Sequence, residues 1–196
     1  MAKTRVPLLL RASFTSTEAE QPTIETIAMD LSAYVDPLNG KVLRISKVHF
    51  IVDDGSGEAM PAAAFVNLAT MTQPGGGAWT AQLCTGTQTG MKGTNDNRNV
   101  ATQYTWVSVS SARSTNATGS TTPALTNEIM GLNWSYMNFP VPELGYYVAA
   151  DTLTFMAQHQ LDLEASIRHT CVIECEKVKL PAADVNFLLV NQTITT

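Results

Sequence analysis

From residue 25 onward the chain is cut into short apolar–polar alternations by clusters of turn formers, and this constrains its fold more than any other feature. Three clusters stand out: Asp36-Pro37-Leu38-Asn39-Gly40, Asp53-Asp54-Gly55-Ser56-Gly57 and Pro74-Gly75-Gly76-Gly77. Proline presets φ, glycine supplies positive φ, and Asp and Asn side chains bond the turning backbone. Turns at this spacing leave room for strands, not for a run of ordinary helices.

The runs between the turns read as strands. Ile27, Met29 and Leu31 alternate. In KVLRISKVHFIV (41–52), Leu43 and Ile45 share one face, whereas Val48, Phe50 and Val52 share the other. That phase change suggests a β-bulge near Ser46-Lys47, or a strand that passes from one environment to another. Residues 62–72 read as a strand or a short helix, with the strand favoured, Trp79, Ala81 and Leu83 alternate, and 101–110 (ATQYTWVSVS) form a further strand. Another is expected over 128–139, before Pro140 and Pro142. Leu153, Phe155 and Ala157 alternate, 167–178 form a long strand, and the tail VNFLLVNQTITT begins as an apolar strand. Polar loops rich in Gly, Thr and Asn are expected at 85–100 and 111–126. The total is eight or nine strands with no helix and no internal repeat. The expected fold is all-β: an antiparallel two-sheet sandwich, a jelly roll over 25–196. Residues 1–24 are expected to form an N-terminal arm with local positive charge from Lys3, Arg5 and Arg11.

Composition narrows the function. Charged residues make up 15% of the chain, against about 25% in ordinary soluble domains. The 25 threonines help to fill the gap, and β-branched side chains suit strands. A neutral polar surface also suits packing against neighbours, since interface cores are depleted in charge. A net charge of −5 argues against a protein built chiefly to bind nucleic acid. No apolar run is long enough to span a membrane, and Val6-Pro7-Leu8-Leu9-Leu10 is too short for a signal segment, so synthesis in a cytoplasm is expected.

The densest candidate chemistry is His169-Thr170-Cys171-Val172-Ile173-Glu174-Cys175. On a strand, His169, Cys171, Ile173 and Cys175 share one face. Cys171 and Cys175 then lie roughly 13 Å apart, too far for a disulfide or a common metal. His169 and Cys171 could share an ion only with a further ligand from another strand. His159 could supply it if 153–161 and 167–175 formed a hairpin, but jelly rolls more often send successive strands to opposite sheets. The expectation is an inward packing row with no metal, no cofactor and no catalytic residue.

Weaker signals also have plain readings. Asp53, Asp54 and Glu58 lack EF-hand spacing and read as a turn. Asp151, Asp162, Glu164 and Asp184 show no acid/base pairing. There is no Gly-x-Ser-x-Gly elbow, and Gly75-Gly76-Gly77 lacks the lysine of a phosphate loop. Trp79, Tyr104, Trp106, Trp134 and Tyr136 would serve as a sugar platform if exposed, or as core if buried. Asn116-Ala117-Thr118, Asn133-Trp134-Ser135 and Asn191-Gln192-Thr193 match the glycosylation pattern, as chance allows in so Asn- and Thr-rich a chain.

The arm at 1–24, the strands over 25–190 and the two long loops together resemble the single jelly-roll coat proteins of icosahedral viruses. The resemblance implies a non-enzymatic, self-assembling capsid subunit located in the virion. Its partners would be copies of itself, bound through the sandwich sides and the arm, with other virion proteins or an internal membrane beyond. The arm departs from coat proteins that package nucleic acid directly, because it lacks a dense Arg/Lys run. The alternatives are a carbohydrate-binding β-sandwich module or an extracellular filament or matrix subunit.

Overall fold

The computed structural model describes residues 7–16, 24–53, 55, 75–115, 121–137, 145–159 and 166–193. For 75–77, 106–115 and 121–137 it describes the backbone alone. Nine strands appear among these residues: β1 (Leu8–Ser16), β2 (Ile24–Asp30), β3 (Lys41–Asp53), β4 (Gly75–Thr85), β5 (Asn99–Thr115), β6 (Thr121–Met137), β7 (Tyr146–Val148), β8 (Thr152–His159) and β9 (Ile167–Lys179). They form a four-stranded sheet in the order β1-β9-β3-β7 and a five-stranded sheet in the order β2-β8-β4-β5-β6.

Every pairing is antiparallel and the pairs are nested: β1 with β9, β2 with β8, β3 with β7, β4 with β5. That is a long hairpin wound into two facing sheets, the jelly roll. The expected all-β sandwich is the fold. Its core lies between the sheets, where Leu43, Ile45, Leu83, Leu153, Phe155, Cys171 and Ile173 are inaccessible to solvent. Phe155 sits at its centre, with its ring 5.0 Å from Phe14 and 5.8 Å from Phe50. The registers place Ser16, Ile24, Asp53, His159 and Ile167 at one end of the sandwich.

The bulge in β3 falls where the phase change puts it. Pairing with β9 shifts between Ile45 and Lys47, and the Ser46 hydroxyl donates to the Glu174 carbonyl at 3.1 Å. One extra residue turns Val48 and Phe50 to the same core as Leu43 and Ile45.

Three expectations are corrected. Residues 8–16 are an edge strand of the sandwich and not part of an arm over 1–24. Leu8, Leu10, Ala12, Phe14 and Ser16 face inward, but the outward Leu9 and the small or polar inward Ala12 and Ser16 hide the alternation. The tail is not a strand. Ala182–Thr193 is helix α1, entered through Pro181, whose carbonyl accepts from the Asp184 and Val185 amides. Val185, Leu188, Leu189 and Gln192 fall at helical spacing, and the helix packs on Val42, Ala149, Tyr147 and Val178. Lastly, 111–126 is not one long loop. β5 and β6 go on pairing to Thr115 and Thr121, past Val109, where β4 stops. The expected strand at 62–72 lies outside the described residues, as do Pro140 and Pro142.

The loop expected at 85–100 lies between β4 and β5, and part of it bonds to the outward side chains of the five-stranded sheet. Gln82 donates to the Lys92 carbonyl at 2.8 Å and accepts from its amide at 2.7 Å. Thr154 donates to the Gly86 carbonyl and accepts from the Gln88 amide.

Candidate functional site

The inward row of β9 is as the strand geometry requires. His169, Cys171, Ile173 and Cys175 are all buried. The cysteines are free thiols. Burial alone raises the Cys171 and Cys175 thiols, Cys175 to about 11, and it is the main cause of the rise of Cys84 to about 12. Such thiols are inert while the fold is closed.

The unexpected feature is what His169 meets. β8 and β9 lie in opposite sheets, and there is no hairpin between them. Even so, His159 and His169 face each other through the core at its open-loop end. Their Nε2 atoms are 3.0 Å apart, with ring centroids 4.9 Å apart. His159 Nε2 is also 3.2 Å from the Ser16 hydroxyl, which donates to Glu25 Oε2 at 3.0 Å. The chain Glu25–Ser16–His159–His169 thus links β2, β1, β8 and β9. Ser16 and both histidines are almost wholly buried.

Elementary hydrogen-bond chemistry excludes the doubly charged pair. Two imidazole nitrogens at 3.0 Å need exactly one proton between them. A neutral pair supplies it, with one ring donating and the other accepting. Burial pushes His159 down to about 4. Burial also pushes His169 down to about 3, with help from its neighbour and partial opposition from Asp53. Two charges at that separation would repel by about 5 kcal/mol even at an effective dielectric of about 20. Phe14, 5.4 Å from the His169 ring, completes a dry setting. Among the described residues neither Nδ1 has a partner. Beside the pair, Asp53 accepts from the Gly55 amide at 2.7 Å and forms an ion pair with Arg168 at 3.0 Å.

This Ser–His contact is not a hydrolase triad. A triad needs a carboxylate on the other imidazole nitrogen and a hydroxyl open to substrate; among the described residues Nδ1 has no carboxylate partner, and Ser16 is buried. Among the described residues no three His, Cys, Asp or Glu side chains come close enough to hold a metal. Cys171 provides no third ligand to the histidines. The unpartnered Nδ1 atoms also lack the outer hydrogen bonds that orient metal-bound imidazoles.

The other candidates disperse. Trp79 is buried and sits opposite His159 in the register, so it belongs to no exposed platform, and Tyr104 is half-buried. The side chains of Trp106, Trp134 and Tyr136 are not described. Asp54, Glu58, Asp162, Glu164 and Asn116 lie outside the described residues. Asp151 accepts from the Thr152 hydroxyl, and Asp184 lies in the first turn of α1. Asn191 is in α1 beside Gln192, whose side chain accepts from the Ala149 amide at 3.1 Å and donates to the Tyr147 carbonyl. Between α1 and β7 lies a cavity of about 250 Å³, lined by Asn97, Tyr146, Tyr147, Leu188, Asn191 and Gln192.

No family model, curated protein or solved structure matches this chain. Among the described residues no helix is long and apolar enough to cross a membrane.

Proposed function

We propose that the chain is a structural subunit that assembles with copies of itself into a closed shell, as the coat subunit of a virion. The observation that carries this reading is a jelly roll whose five-stranded sheet ends, among the described residues, in a long edge strand. β6 has 17 residues, roughly 55 Å of backbone, and among the described residues it pairs on one side only, with one register irregularity between Glu128 and Ala124. Its sequence holds a single charge, Glu128, and one proline, Pro123. Monomeric sandwiches usually protect such an edge with charge, proline, bulges or a covering element.

The opposite end adds support. Leu38 is 98% exposed, Phe187 68% and Val190 52%, on the 3-10 turn (Pro37–Asn39) and on α1, which touch each other. Apolar exposure of this kind suits burial against a symmetry mate. Other virion proteins or an internal membrane would be secondary partners, and no catalytic role is assigned. The test is electron microscopy with analytical ultracentrifugation of the purified full chain. Closed particles are expected; a monomer at all concentrations and salt conditions would refute the reading.

The carbohydrate-binding alternative keeps one specific observation, the cavity of two tyrosines and three side-chain amides between β7 and α1. Tyrosine fluorescence during titration with a glycan panel separates it from assembly.

A further inference from the structure

We propose that the His159–His169 contact is a proton-operated latch that holds one end of the two sheets together, released in acid while the helix-covered end stays closed. The proposal concerns the fold of this chain and stands whether or not the shell reading holds.

The geometry sets the proton count. In the neutral pair one N–H lies between the rings and the contact closes. A single added proton goes to the free Nδ1 of the donating ring and leaves that bond in place. A second cannot do so, because both nitrogens would then be donors pointing at each other 3.0 Å apart. Once the rings part and reach water, each accepts a proton from solvent near its ordinary value of 6.5. Opening therefore takes up two protons and is steep in pH.

Among the described residues, the groups around the pair come from β1, β2, β3, β4, β8 and β9. Phe14 on β1, Trp79 on β4 and Phe155 on β8 are uncharged. Ser16 on β1 relays Glu25 of β2 to His159. Asp53 on β3 acts on His169, and its charge is balanced by Arg168 on β9. Asp53 favours a proton on His169, but among the described residues neither it nor Glu25 bonds to an imidazole directly, and no carboxylate bonds to either ring to offset the repulsion between two charged imidazoles.

The latch joins the sheets near Ser16, Glu25, Asp53 and Ile167, at the end from which the chain leaves for 17–23, 54–74 and 160–165. At the far end α1 packs on the outer face of the four-stranded sheet through apolar contacts and the Gln192 amide, which do not titrate. Acid should thus act on one end only.

The cysteines make this measurable. Cys171 lies two residues from His169 on the same inward face, whereas Cys84 lies toward the far end of β4 on the outward face with Gln82, beside the Asp96–Arg98 pair, and so reports global unfolding. The full chain is treated with 4,4′-dithiodipyridine, which reacts with thiols in acid, from pH 7 to pH 3.5. Labelled sites are read by mass spectrometry. Cys171 labelling should rise at least tenfold between about pH 5 and pH 4 with an apparent order near two in protons, while Cys84 stays protected. In the double variant His159→Leu, His169→Phe, which fills the space with apolar groups, Cys171 should stay protected over the same range. Joint exposure of Cys171 and Cys84, a protected Cys171 at pH 3.5, or unchanged opening in the double variant would each overturn the latch. Should the variant not fold, the comparison of Cys171 with Cys84 in the unmodified chain decides alone.

Discussion

The two ends of the sandwich are closed by different chemistry. At one end the sheets meet through two neutral imidazoles, a hydroxyl and a carboxylate, beside the Asp53–Arg168 pair. At the other, α1 covers the outer face of the four-stranded sheet with Val185, Leu188 and Leu189, and Gln192 satisfies the backbone of 147–149. Both ends bury side chains well. Only the first, among the described residues, is joined by imidazoles buried without charge. Equal packing therefore does not mean equal response: the sandwich is built to lose its ends separately.

The largest expected effect comes from pH. For both histidines the folded value lies below the unfolded value of 6.5, so the unfolded chain binds more protons between about 6.5 and about 3. The sign is then fixed: stability is intact above pH 6.5 and falls as pH falls, levelling below the folded values. From pH 7 to pH 4 the loss attributable to the pair should be about 5 kcal/mol, read from urea midpoints at each pH. A flat profile over that interval would erase the difference between the ends. Next is Gly40→Ala, at the helix-covered end. Gly40 has φ of +73° and a Cβ there would lie 2.5 Å from the Leu180 carbonyl oxygen. A loss of about 3 kcal/mol is expected, equal at pH 7 and pH 5.5. Gln192→Ala should cost about 2 kcal/mol, because it leaves the Ala149 amide unsatisfied in a buried place. Hydrogen exchange should then quicken at Ala149 and not at His169. The smallest effect is for His49→Gln, on the exposed face of β3, where the histidine meets Glu174 at 3.2 Å. A change below about 0.5 kcal/mol in denaturant stability is expected. A large one would mean that an exposed histidine matters as much as the buried pair.

Strands in which large apolar residues alternate were legible in the sequence. The row His169, Cys171, Ile173, Cys175 and the bulge at Ser46-Lys47 both follow from period-two geometry. β1 was hidden because its inward positions include Ala12 and Ser16 while Leu9 points out. α1 was hidden because FLLV reads equally well as a strand; the helical spacing of Val185, Leu188, Leu189 and Gln192 was the available signal. The outer parts of β5 and β6 were hidden because Thr, Ser and Asn serve strands and loops alike. The His159–His169 contact was only half legible. Strand phase gives both inward directions, but the meeting itself depends on how the two sheets stack, which no local pattern encodes.

The most direct measurement is nitrogen NMR of the imidazoles in the intact protein. At pH 6 both His159 and His169 are expected to be neutral, with one Nε2 protonated and hydrogen-bonded to the other. Both rings should stay neutral well below the ordinary imidazole value of 6.5 and take up protons together as the contact opens. Two imidazoles already charged at pH 6, or two rings carrying no mutual hydrogen bond, would contradict the account.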